Sequence, residues 1–319
     1  VHPSNFAEPT ANLRAALQAL VHELYFKSSH FPGLKGHSPR ELHDLDHERY
    51  ATCPIAELRG MADPFTSLLT ARAARIPGSV PTELVATWER AESTLNARMR
   101  VVLGFLGTEV PQVLSESIAG AGKQLPPLRV TAGRNPIGGK RNDKLFGQPD
   151  IVLLGETVAV TVEMKVRGGK ALAKYDAEQH FKYLRLAQAM NETFGVGRVY
   201  HVLLAPLAGG RVVKGSDRWL AGTVEHGAPL VLDRAGFIAS ISAKQRDQAL
   251  AAGGEGWIAT LEDRMPSRAI DLTEFLDAVD RLDWADDVVR FECGRQVAAL
   301  RAYGLRGVPT RAPPNRRPI

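Results

Sequence analysis

Asp150, Glu163 and Lys165 are the residues whose types and spacing fit bond-breaking chemistry most directly. Asp150 stands at the mouth of the apolar run Ile151-Val152-Leu153-Leu154, and Glu163 and Lys165 lie two residues apart in Val160-Thr161-Val162-Glu163-Met164-Lys165. In a strand, residues i and i+2 project from one face, so Glu163 and Lys165 point together. Val160, Val162, Met164 and Val166 form the opposite, apolar face. Charge inside a strand this hydrophobic is costly unless it binds something. Two carboxylates and an ammonium group converging on one point suit a hard divalent cation and a phosphate.

Such convergence needs a hairpin with helices on either side. Gly155-Glu156-Thr157 is a tight turn that joins a strand over 150–154 to one over 158–166. A strand over 128–131 precedes the pair, a helix over about 177–194 follows, and 199–204 reads as another buried strand. The order helix, strand, strand, strand, helix, strand describes an α/β fold with a central mixed sheet and flanking helices. Upstream, a long helix is expected from 81 to about 105, with Val85, Trp88, Leu95, Met99 and Val102 as its apolar stripe. Glu92 fills the gap in that stripe. A buried glutamate is expensive without a partner, so one is expected there; the alternative is that Glu92 sits at the stripe's edge and reaches solvent. In the later helix, Gln179, Tyr183 and Leu186 lie at i, i+4 and i+7 and share a face that can turn towards the sheet.

Pro149-Asp150 and, after a twelve-residue gap, Glu163-Met164-Lys165 resemble the motif of the PD-(D/E)XK nuclease superfamily, whose fold is shared by many restriction endonucleases and RecB-like exonucleases. Gln179-His180-Phe181-Lys182-Tyr183 resembles the Gln-x-x-x-Tyr element of the RecB-like branch. The resemblance covers about residues 80 to 206 and implies a restriction endonuclease-like core, with helical additions at both ends. It further implies that Asp150 and Glu163 hold Mg²⁺ or Mn²⁺, with the Met164 carbonyl as a further ligand. Glu92 would complete the set as the acid on the helix before the sheet, with Glu89 or Glu83 as alternatives. Lys165 would orient the attacking water or stabilise charge in the transition state. Gln179 would position metal-bound water or the adjacent phosphate, and Tyr183 would bond a phosphate or brace the lysine. The expected activity is metal-dependent hydrolysis of nucleic acid, DNA before RNA, in bacterial or phage defence, restriction or repair, leaving 5′-phosphate and 3′-hydroxyl ends. The alternatives are a ribonuclease or ligand-activated effector nuclease, and a non-catalytic nucleic-acid-binding protein that keeps the fold.

The rest of the chain bounds these expectations. Its 319 residues, 44% hydrophobic and 24% charged, are ordinary for one or two globular domains. No run approaches the length of a membrane span, no secretory signal pattern opens the chain, and two distant cysteines make no disulfide framework, which points to a reducing cytoplasm. The net charge of +5 is compatible with a polyanion. Basic residues gather before Asp150 (Arg141 and Lys144 among them), after the Glu-x-Lys strand (Arg167, Lys170) and in an arginine-rich tail; the loop residues are candidate phosphate contacts. Ile76-Pro77-Gly78-Ser79 marks off a helical N-terminal region over 1–78, a core over 79–208 follows, and 209–319 is mixed, then helical. Cleaving both strands of a duplex needs two active sites, so a homodimer is expected for that substrate. His43 and His47, with His37 and Cys53 nearby, have the ingredients of a zinc site, but a polar helix face explains them better. His180 reads as a helix residue facing away from the site. The Gly-rich pieces match no Walker loop, and no Gly-x-Ser-x-Gly elbow is present.

Overall fold

The computed structural model describes residues 11–27, 31–34, 40–52, 57, 60–131, 137, 146–166, 177–207, 213–214, 220–221 and 223–305. The N-terminal region supplies α1 (Ala11–Phe26), α2 (Arg40–Asp46) running into a π-helical turn (His47–Thr52), and α3 (Pro64–Ala73). Leu13, Leu17, Leu20 and Leu24 recur at three- and four-residue intervals, and all are fully buried. Asp63 caps α3 by accepting from Phe65 N at 3.1 Å, and Pro64 at the first turn costs no hydrogen bond there.

The single helix expected over 81–105 is two: α4 (Pro81–Trp88) and α5 (Glu92–Thr108). The break has a charged cause. Glu89, just past α4, turns inward onto Arg98, which is fully buried in α5 and holds Glu89 Oε2 at 2.8 Å and Asp63 Oδ2 at 2.7 Å. Arg98 also donates to Gln296 at 2.8 Å. Helix α6 (Gln112–Ala119) follows, then the strands β1 (Arg129–Val130), β2 (Ile151–Leu154) and β3 (Val158–Met164), helix α7 (Ala177–Phe194) and β4 (Arg198–Ala205). These agree with the sequence expectation to within a residue or two at most ends.

Beyond 209 the sequence reading is incomplete. Four two-residue strands, β5 (Val213–Lys214), β6 (Leu220–Ala221), β7 (Thr223–Val224) and β8 (Val231–Leu232), form two small antiparallel pairs. Helices α8 (Arg234–Ser240), α9 (Ala243–Ala251) and α10 (Gly254–Arg264) lead to β9 (Ser267–Asp271), and α11 (Leu272–Asp280) and α12 (Asp287–Ala299) close the described chain with a final π-helical turn, Leu300–Gly304. The expected change from mixed to helical structure within 209–319 is met, with a break between α11 and α12 that ends where Asp286 caps α12.

The main sheet has the order β1-β2-β3-β4-β9. β1, β2 and β3 pair antiparallel in turn, whereas β3, β4 and β9 run parallel, so only β2 opposes the rest. Both faces are covered, which is why β3 and β4 read as nearly continuous apolar runs. Ile151, Leu153, Val160, Val162, Met164, Val202 and Leu204 pack in one cluster with α1, α3, α5, α6, α11 and α12. Val152, Ala159, Val199, Leu203 and Ala269 pack in another with α7, α8 and α10. No described helix is long and apolar enough to cross a membrane.

Candidate active site

β2 and β3 meet in the register Ile151↔Val162, and one more step places Asp150 opposite Glu163. On the other side β3 runs parallel to β4, with Glu163 beside Leu203 and Lys165 N donating to Leu204 O at 2.8 Å. The motif therefore stands at the carboxyl end of two parallel strands, where open α/β sheets leave a crevice for ligands.

Asp150 is buried and gripped from two directions. Asn96 Nδ2 donates to its Oδ1 at 2.7 Å, and Met164 N donates to its Oδ2 at 2.9 Å. Arg100, one turn beyond Asn96 on α5, donates to the Asp150 carbonyl at 2.7 Å and to Thr131 O at 2.9 Å. Met164 thus faces the site with its backbone, while its side chain is fully buried in the core.

Glu163 is equally enclosed. Lys165 Nζ and Gln179 Nε2 (2.9 Å) donate to Oε1, and the Tyr183 hydroxyl donates to Oε2 at 2.6 Å. Gln179 also donates to the Tyr183 oxygen at 2.8 Å. The shared face of Gln179 and Tyr183 on α7 does turn towards the sheet. Gly147 lets the approach to Asp150 pass against this tyrosine: its φ is +66°, and a Cβ there would stand 3.0 Å from Tyr183 Cε1. Behind the pair lies a buried polar layer, with Thr161 Oγ1 2.9 Å from His201 Nδ1 and the Tyr183 and His201 ring centroids 4.9 Å apart.

Burial opposes the charge on Lys165, but Glu163, then Asp150 and Glu92, outweigh it and hold its pKa above the ordinary lysine value. All three acids thus act on one ammonium group. Glu92 reaches this field from a different position than the apolar stripe implied. It is exposed, in the first turn of α5, where the helix dipole favours an acid. The buried partner expected for it is not there, and its solvent-edge alternative holds. Of the two alternatives to Glu92, Glu89 is committed to Arg98 and Glu83 is exposed.

His180 is fully buried, its ring 6.0 Å from that of His201 in the polar layer behind the site. His43 and His47 stack at 5.8 Å with nearly parallel rings, and His43 is paired with Asp44; His37 and Cys53 lie outside the described residues. Arg141, Lys144, Arg167 and Lys170 also lie outside them.

Among the described residues no group of three or more His, Cys, Asp or Glu side chains is gathered closely enough to hold a metal ion. The candidate donors are carboxylate oxygens, the ligands of hard cations, and Mg²⁺ commonly takes only one or two carboxylates and keeps several waters. Glu163 has three of its roughly four acceptor positions filled and one remaining on Oε2. The residues therefore fit such a cation.

Sequence reasoning missed Asn96, Arg100, Thr161 and His201. A partial signal for the first two was present: Glu92, Asn96 and Arg100 recur every four residues and so form one polar stripe along α5. Compared with protein-family models, with curated proteins and with solved structures, the chain matches none.

Proposed function

We propose that the protein is a metal-dependent phosphodiesterase acting on nucleic acid, DNA before RNA, of the PD-(D/E)XK type. One observation carries the reading: Glu163, Lys165, Gln179 and Tyr183 share one hydrogen-bonded cluster at a strand end, and Asp150, next to it across the β2–β3 pair, is held by the amide of Met164. The element order α5, β1–β3, α7, β4 and the flanked mixed sheet support the restriction endonuclease-like core that the motif implies.

Asp150 and Glu163 would hold the cation, with the Met164 backbone beside them and Glu92 on the solvent side. A bound Mg²⁺ or Mn²⁺ polarises the scissile phosphate and lowers the pKa of a water. The chain's own residues do the rest. Lys165 is donor-only and cationic, so its task is to orient the water oxygen and to offset charge gathering on the phosphate. Tyr183 and Gln179 fix the Glu163 carboxylate so that its orientation does not have to be found during the reaction. Asp150 is fixed in the same way by Asn96, the Met164 amide and the Arg100 clamp on its carbonyl.

The test is incubation of the purified chain with labelled single- and double-stranded DNA and RNA, in Mg²⁺, Mn²⁺ or EDTA, beside Glu163→Ala and Lys165→Ala. Metal-dependent cleavage lost in both variants is the expected result. Cleavage of RNA alone moves the protein to the ribonuclease alternative. Salt-sensitive binding without cleavage identifies a non-catalytic binder, and identical behaviour of all three proteins on every substrate overturns the reading.

A further inference from the structure

We propose that Asn96 is a positioning residue of the cation site: its amide donates to Asp150 when no cation is bound and accepts from a metal-held water when one is. The inference rests on the phosphodiesterase reading above and adds to it a residue outside the family motif. Asn96 is 2% exposed, and while Nδ2 bonds Asp150 Oδ1 at 2.7 Å, its Oδ1 has no hydrogen-bond partner among the described residues. A buried acceptor left unsatisfied is uncommon in folded proteins and calls for a ligand, a water or an ion.

Its surroundings say which. Asn96 lies one turn beyond Glu92 on α5 and touches Asp150, and both acids act on Lys165. Turning the amide over would set its oxygen against the Asp150 carboxylate, so without a cation the observed orientation is enforced. A water held by a divalent ion on Asp150 would give Oδ1, in that same orientation, the donor it lacks. Mg²⁺ sheds its water reluctantly and holds it at about 2.1 Å, and each held water needs an outward acceptor. A neutral amide serves both states. An aspartate would repel Asp150 in the cation-free protein, and an apolar residue would serve neither state.

The experiment is calorimetric titration of Mn²⁺ into the full chain without nucleic acid, for wild type, Asp150→Ala, Asn96→Ala and Asn96→Asp, with thermal unfolding of each in EDTA and in Mn²⁺. Expected are loss of binding in Asp150→Ala and a Kd raised about 10- to 100-fold in Asn96→Ala, the range for outer ligands of a metal. Asn96→Asp should bind Mn²⁺ more tightly than wild type, with a lower Tm in EDTA that Mn²⁺ restores, a pattern that a purely structural asparagine does not produce. Should Asn96→Ala fail to fold, Asn96→Asp decides alone, and no tightening overturns the proposal. Kd values within about twofold of wild type in both Asn96 variants, beside lost binding in Asp150→Ala, overturn the role of Asn96 and leave the site reading standing. No Mn²⁺ binding by wild type overturns both.

Discussion

Tyr183 donates to Glu163 Oε2 at 2.6 Å while Lys165 and Gln179 hold Oε1, so the carboxylate cannot rotate without losing a partner. Tyr183→Phe removes one donor and almost no volume. Its metal-dependent cleavage rate should fall about 10- to 100-fold with an unchanged circular dichroism spectrum; a wild-type rate would show that the hydroxyl does not position Glu163. The motif residues were readable because each lies in a local pattern, two apart on a strand or four apart on a helix. Asn96 and Arg100 also stand four apart on a helix, but that spacing did not reveal their role, because their partner Asp150 is 54 and 50 residues away. Glu92 was singled out on a mistaken ground, since the stripe it interrupted belongs to two helices.

At the scale of elements, the joint between α4 and α5 depends on Arg98, whose buried guanidinium ties Glu89, Asp63 and, on α12, Gln296. Arg98→Ala leaves the buried Glu89 and the half-buried Asp63 without their cation and should destabilise the fold by about 3–5 kcal/mol, read as a lowered urea midpoint; a loss under about 1 kcal/mol would show the network to be neutral. Helical periodicity could not reveal this joint, because it reports where apolar residues recur and not which charges are buried beneath them. Helix α7 carries a second device. Burial depresses the pKa of His180 from 6.5 to about 4 and that of His201 in the same direction. The neutral rings therefore contribute stability that is complete above about pH 6.5, declines as pH falls and is lost for His180 by about pH 4. His180→Leu should remove up to about 3 kcal/mol of that acid sensitivity, seen as a shallower fall of Tm between pH 6.5 and 4; a slope parallel to wild type would contradict a neutral buried ring. β9 escaped the sequence reading because Ser267-Arg268-Ala269-Ile270-Asp271 is neither an apolar run nor a clean alternation, and it becomes a strand by pairing with β4 on one side and bridging Pro229 on the other.

Over the whole molecule, one apolar cluster extends from the leucines of α1 through α5 and the sheet to α12. The N-terminal helices are therefore part of what holds Asn96 and Arg100 against Asp150. A chain beginning at residue 79 would expose α5 and should lose cooperative unfolding; a truncated chain with wild-type Tm would contradict that dependence. The three-layer α/β arrangement was readable because fully covered parallel strands announce themselves as unbroken apolar runs. The enclosure of α5 by the two ends of the chain was not, since such long-range packing leaves no periodic mark. In the proposed function this assembly aims Asp150, Glu163 and Lys165 at a phosphodiester. The most direct test is end analysis of linear double-stranded DNA after incubation with wild type and Lys165→Ala in Mg²⁺ and in EDTA. Expected are Mg²⁺-dependent fragments with 5′-phosphate and 3′-hydroxyl ends, formed about 10²- to 10³-fold more slowly by Lys165→Ala. Intact DNA with wild type in Mg²⁺, or equal cleavage by both proteins, would contradict that function.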